Sequence, residues 1–222
     1  MDRPHSSSSI RPPRTLDRDV RKAQLIEATI GSLAERGFSR TTLTEVARRA
    51  GLSHGLVLFH FRSKEGLLTE TLDYLSEEYR QHWTSALEAA GGKPQQQLAA
   101  LVTMDFTPEV CRPDRLAAWC AFWGESQSRP LYHARCSSID AHYIRSLENI
   151  CQRMNAECGY RHDAGRVARL IRVTIEGTWL DLVTLANPYD RAEALKTVWV
   201  CIAALYPRHF GPDGLTADAP LP

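Results

Sequence analysis

The pentapeptide Gly51-Leu52-Ser53-His54-Gly55 spells G-x-S-x-G, the spacing at which a serine on a strand-to-helix turn becomes a hydrolytic nucleophile. That chemistry needs a strand before the serine. The preceding residues, TTLTEVARRA, carry a helical pattern instead. Ser53 then reads as a helix N-cap, its hydroxyl accepting from N–H groups of the next turn. The chain offers no phosphate loop, metal-ligand spacing or credible triad, so the sequence argues against an enzyme and calls for no metal or cofactor. The six cysteines, at 111, 120, 136, 151, 158 and 201, include no C-x-x-C pair. They read as small apolar residues in a reducing compartment, with a redox sensor as the alternative.

Binding chemistry is better represented. Residues 1–65 hold 12 Lys+Arg against 7 Asp+Glu, whereas residues 66–222 hold 15 against 19. A basic front on an acidic body suits a polyanion partner for the front alone, with chance clustering as the plain alternative. Arg40, Arg48, Arg49, Arg62 and Lys64 surround the segment 42–61. A second group is aromatic: Trp119 and Trp123 at i, i+4 with Phe122 beside them, Phe106 upstream and Trp179 on a later helix. Their ring faces suit a quaternary ammonium, with Asp105, Glu125 or Asp181 as counter-charge. The competing reading is that large rings fill a helical core.

These residues need elements to position them. The 222 residues are 43% hydrophobic and 24% charged, a globular composition with no apolar run long enough to cross a membrane. Helical periodicity dominates and predicts an all-α chain of about nine helices with no sheet. The first runs from about Asp19 to Arg36 and stops at Gly37, after which Phe38 docks on the core. Thr42 caps a short helix and Glu45 completes a capping box. Gly51 ends that helix, and Ser53 caps a third from His54 to about Phe61. Ser63 caps a long fourth to about Ala90. Later helices open at Pro94, Pro113 and Pro130, and others span Arg161–Asn187 and the stretch from Asp190 to Pro207. Residues 1–17 and 211–222 read as loose tails. The first residues, MDRPHSSSSIRPPRTLDRD, lack the apolar stretch of a secretory signal, which gives a cytoplasmic expectation.

Two short helices joined by a glycine turn make a helix-turn-helix, whose second helix presents its start to base edges in the major groove. A plain helical hairpin with a solvated basic face is the alternative. The run RKAQLIEATIGSLAERGFSRTTLTEVARRAGLSHGLVLFHFRSKEGLL closely resembles the DNA-binding domain of TetR-family transcriptional regulators. The match includes the GF after the first helix, T-x-x-E-V-A-R-R-A-G-L-S and F-R-S-K-E-x-L-L. The resemblance implies a homodimer binding a double-stranded, palindromic operator, with a three-helix reader at 18–65 and an effector and dimerisation body at 66–210. It implies DNA contacts by Thr42, Thr44, Arg48, Ser53, His54, Gly55, Leu56 and Lys64. Where the family often has a tyrosine, this chain has Leu58, Phe59 and His60; His60 is the candidate for that phosphate contact. Leu56 and Leu58 favour thymine methyls, with packing in the reader's own core the other reading for Leu58 and Phe59.

Downstream, RLAAWCAFWGESQSRPLYHAR and IEGTWLDL resemble the C-terminal domain of BetI-type regulators, the choline-responsive branch. This implies a small effector, choline or a related cation, held by Phe106, Trp119, Phe122, Trp123 and Trp179, and repression as the default action. The stripes Val167, Leu170, Ile171, Thr174, Thr178 and Leu195, Val198, Cys201, Ile202, Leu205 are expected to form the dimer face, with burial inside one subunit as the alternative. Arg3, Arg11 and Arg14 of a basic arm are expected either to reach DNA or to form a passive tail.

Overall fold

In a computed structural model, residues 14–126 and 130–216 are described, and they form α1 (Arg14–Arg40), α2 (Leu43–Ala50), α3 (His54–Phe61), α4 (Lys64–Ala89), α5 (Pro94–Met104), α6 (Pro113–Ser126), α7 (Pro130–Cys158), α8 (Ala164–Thr184) and α9 (Arg191–Leu205). The expected glycine break falls inside α1, where Gly37 (φ 73, ψ 175) interrupts helical geometry before a last turn to Arg40. That helix starts earlier than expected, at Arg14, so residues 14–17 belong to α1 and not to a loose arm. Arg3 and Arg11 lie outside the described residues. The chain also contains a small sheet that periodicity missed. β1 (Phe210–Gly211) pairs antiparallel with β2 (Gly214–Leu215), and the hairpin packs on Trp199 of α9. Residues 217–222 are outside the described set. Among the described residues no helix is long and apolar enough to cross a membrane.

Two buried clusters organise the molecule. The first gathers Leu25, Ile30 and Phe38 of α1, Val46 of α2, Val57 and Phe61 of α3, and Leu67, Leu68 and Leu72 of α4. It also takes in Ala118 and Phe122 of α6 and Tyr132 of α7, so the reader's core continues into the body. Phe38 meets Phe122 and Tyr132 edge-on, with ring centroids 6.1 and 5.6 Å apart. The second cluster fills the body between α5, α7, α8 and α9. Helix α6 runs between the two, touching α1 on one side and α7 and α8 on the other.

Local chemistry explains the reader. Thr42 Oγ1 accepts from Glu45 N at 3.2 Å, half of the expected capping box. The Glu45 carboxylate does not close the box; it pairs with Arg36 (3.0 Å) and Arg48 (2.8 Å) instead. Gly51 turns left-handed (φ 65), which lets its own N–H reach Arg48 O and that of Leu52 reach Ala47 O. The α3–α4 turn is tighter. Arg62 has φ 64, Ser63 N bonds Phe61 O at 2.7 Å, and Ser63 Oγ accepts from Gly66 N at 3.0 Å. A Cβ on Gly66 would overlap the Phe61 carbonyl oxygen. Gly66→Ala should therefore cost about 1–3 kcal/mol by forcing this backbone apart. Denaturant unfolding checks it; a variant as stable as the parent would mean that the turn relaxes freely.

Candidate functional site

The two short helices place an exposed edge at the start of α3. Ser53 Oγ accepts from Leu56 N at 3.2 Å, so the G-x-S-x-G serine is a cap, and helix α2 precedes it rather than a strand. His54 and Gly55 are exposed beside it, with His54 Nδ1 3.4 Å from the exposed Thr44 Oγ1. Thr42, at the start of α2, is also exposed. Leu56 is half-buried. Leu58 and Phe59 do not pack in the reader's core: both are exposed, Phe59 by 65%, one turn beyond Gly55 on the same face. Arg18 of α1 lies 5.6 Å from the Phe59 ring. His60 is half-buried, and burial together with Arg18 and Lys22 holds its pKa below the ordinary value. These surroundings favour its uncharged form.

The surrounding cations are engaged locally. Arg48 pairs with Glu45, and Arg49 reaches back to Glu35 on α1. Lys64 Nζ donates to the carbonyls of Phe38 and Ser39 at 3.0 and 3.2 Å. It thereby ties α4 to the end of α1.

The aromatic residues divide. Trp119 and Trp123 stack at 6.2 Å and line a cleft with Trp179, Tyr79, Tyr143, Ile175, Arg172 and Glu176. Counting its open mouth, the cleft encloses about 500 Å³. It is a narrow, ring-lined slot with one side open. Phe122 and Phe106 do not line it, contrary to expectation. Phe122 sits about 100° around α6 from Trp123, and it faces the reader's core. Phe106 is buried in the body, and its carbonyl accepts from Arg191 at 2.9 Å.

Tyr79, Tyr143, Arg172 and Glu176 were missed in the sequence. Only Arg172 and Glu176 left a local signal, opposite charges at i, i+4 on one side of α8. Of the proposed counter-charges, Asp181 is bonded by Tyr189 at 2.9 Å, and neither it nor Glu125 lines the cleft. Asp105 is fully buried behind the tyrosines, accepting from Tyr79 (2.7 Å) and Tyr143 (2.6 Å). Its backbone carbonyl accepts from Trp179 Nε1 at 3.0 Å.

Burial pushes the Asp105 carboxyl up to about 7, aided by Glu176 and opposed by the two phenol donors. An acid raised in the folded state contributes stability below its unfolded pKa, near 4, and loses it as pH rises through 7. The full loss is about 4 kcal/mol. Asp105→Asn should remove most of the decline between about pH 4 and pH 7 in denaturant unfolding; an unchanged slope would place the titration elsewhere. Among the other buried groups, Cys111 and Cys151 are pushed by burial up to about 12 and about 11. Neither carries a thiolate at neutral pH, which disfavours redox sensing at those two. Among the described residues no cluster could hold a metal ion.

Residues 25–71 match the family model "Bacterial regulatory proteins, tetR family", and residues 94–207 match "BetI-type transcriptional repressor, C-terminal". Relatives include the HTH-type transcriptional regulators BetI of Paraburkholderia xenovorans and Paraburkholderia phymatum. The first is 32% identical over 185 residues, spanning 83% of this chain and 93% of the relative. The second is 33% identical over 184 residues, spanning 83% and 92%. Among solved structures, a putative transcriptional regulator from Pseudomonas aeruginosa PAO1 superposes with TM-score 0.74 at 25% identity, covering 85% of this chain and 91% of that one. A putative regulator from Saccharomonospora viridis, solved in complex with choline, superposes with TM-score 0.73 at 19% identity, covering 81% and 94%. That likeness establishes a shared fold.

Proposed function

Because this chain belongs to the TetR family of bacterial regulatory proteins and carries a BetI-type C-terminal half, we propose that it is a homodimeric repressor released from its operator by a small alkylammonium effector, choline or a relative of it. Residues 18–65 make the reader and 66–210 the effector and dimerisation body. His54 and Gly55 meet base edges, with Leu58 and Phe59 on the same exposed face for thymine methyls. The N-termini of α2 and α3, at Thr42 and Ser53, receive phosphates. Arg48 and Lys64 exchange part of their present hydrogen bonds for phosphate oxygens, and His60 adds a neutral donor. A protein that reads operator DNA works where that DNA lies, in the cytoplasm. Direct steric blocking of a promoter by the bound dimer accounts for repression.

The observation that carries the proposal is the placement of α6. One face of this helix sets Trp119 and Trp123 in the aromatic cleft, and another sets Ala118 and Phe122 against Phe38 of the reader. A guest entering the narrow slot must move its walls, and moving α6 moves the seat of the reader. Helix α4 adds a second link, with Tyr79 in the cleft and Lys64 at the reader. The guest shifts DNA affinity only by its differential affinity for the two arrangements. Selection of genomic fragments by the purified protein tests the reading head: the proposal expects enrichment of a palindrome with half-sites one or more helical turns apart. Failure to enrich any fragment at low salt would reject it.

We assign the dimer face only partly to the expected stripes, since half of their residues are not available to a partner. Val167, Ile171, Thr178, Val198 and Ile202 are buried within the subunit. The exposed stripe on α8 is Leu170, Val173, Gly177 and Leu180, and on α9 it is Thr197, Val200 and Ala204. Gly177 has open space where a side chain would stand, which admits close approach of another helix. Two such faces related by a twofold axis make a four-helix interface. Val173→Arg should give a folded monomer in sedimentation and weaken operator binding at least about 100-fold, the loss of simultaneous half-site engagement. A dimeric variant would place the interface elsewhere.

A further inference from the structure

The aromatic cleft contains one full positive charge of its own. Arg172 and Glu176 stand one turn apart on α8, and both line the slot formed by Tyr79, Trp119, Trp123 and Trp179. Arg172 Nη1 donates to both Glu176 oxygens, at 2.6 and 2.7 Å, while its Nε is buried without a hydrogen-bond partner. A guanidinium carries five N–H donors in a planar fork that matches a carboxylate. Here one corner of the fork serves Glu176, and a buried N–H left unpaired is costly.

Charge balance sharpens the point. The two ionised groups lining the slot sum to zero. A simple cation would add a charge beside a guanidinium already present, and a simple anion would add one beside Glu176. A guest with both signs leaves the balance intact and offers a carboxylate to a guanidinium that Glu176 occupies at one corner only. We propose that the cleft is built for a zwitterion, an alkylammonium carboxylate of the betaine class, with its cationic head against the rings and its carboxylate on the Arg172 fork. Glu176 keeps its bond to Nη1 and faces the ammonium. This assignment rests on the reading of the ring-lined slot as a cation site, and it makes Arg172 the residue that sets specificity between a bare ammonium and a zwitterion.

Calorimetric titration of the full-length protein with glycine betaine, choline, tetramethylammonium and acetate, at one ionic strength, tests it. The expected result is glycine betaine at least tenfold tighter than choline, with acetate not binding. Arg172→Gln should cut the betaine-to-choline preference at least tenfold. Arg172→Lys, which keeps the charge and loses the fork, should fall between and serves if the glutamine variant does not fold. Choline as tight as betaine, or a preference that both variants leave intact, would overturn the zwitterion assignment while leaving the cation site standing. No binding of any ammonium compound would reject the cation-site reading and the assignment together.

Discussion

Replacing Arg115 by methionine should lower the thermal midpoint by about 5–10 °C and weaken the response of the reader to effector. Arg115 lies in the first turn of α6 and is 4% exposed. Its guanidinium spans three elements. Nη1 and Nη2 hold Glu27 of α1 at 2.9 and 2.7 Å, and Nε and Nη2 hold Glu78 of α4 at 2.9 and 3.1 Å. This is the one described arginine that joins the reader's first helix to both helices leading to the cleft. Breaking a buried ion pair from one side costs about 3–5 kcal/mol, because the partners stay behind uncompensated. Both carboxylates are about a third or more exposed, so water screens them and about 2–3 kcal/mol is the better figure. For a chain of this size that is the stated shift in midpoint.

The pH dependence has a defined sign. Burial raises the Glu27 carboxyl, but the hydrogen bonds and charge of Arg115 outweigh it, and the net shift is downward. A lowered carboxylate contributes stability above its unfolded pKa and loses it as pH falls through the folded value. The gap between parent and variant should therefore be widest at neutral pH and narrow below about pH 4. A double-mutant cycle of Arg115→Met with Glu78→Gln isolates the pair. Additive losses would show that the clasp is not an energetic unit.

The second large effect concerns the slot. Trp119→Leu with Trp123→Leu should weaken binding of an alkylammonium guest on the order of 100-fold while leaving apolar bulk in place. Each desolvated ring contributes up to about 2 kcal/mol through its π face, beyond what leucine offers. Two rings together approach about 3 kcal/mol, or that factor in affinity. Trp123→Phe keeps a π face and should lose less than Trp123→Leu. Titration followed by calorimetry reads both. Equal losses for phenylalanine and leucine would reduce the rings to a plain apolar wall.

The reader was legible in the sequence because its signals are local. Thr42, Gly51, Ser53 and Ser63 each act within a few residues, so spacing alone carries the turn geometry. The slot was legible in part. Trp119 and Trp123 share a helical face by their i, i+4 spacing, and Trp179 came with the BetI-type resemblance. Phe122 was misplaced because adjacency in sequence is a rotation of about 100° on a helix, enough to turn it from the slot to the reader. Tyr79 and Tyr143 come from α4 and α7, and nothing near them in the chain announces where those helices meet. The dimer stripes show the same limit. Helix α8 is apolar on two faces, and periodicity cannot tell the face that meets α7 and α9 from the one left exposed. The β1–β2 hairpin has two residues per strand, too few for an alternating pattern to register.

The central claim is that occupancy of the slot and grip on DNA are coupled through α6. The direct test is fluorescence anisotropy of the selected operator with the parent protein, at one salt concentration, with and without saturating ammonium guest. The account predicts an operator affinity about 5–150-fold weaker with the guest, the usual span of such coupling. Unchanged affinity under conditions where calorimetry shows the guest bound would contradict it.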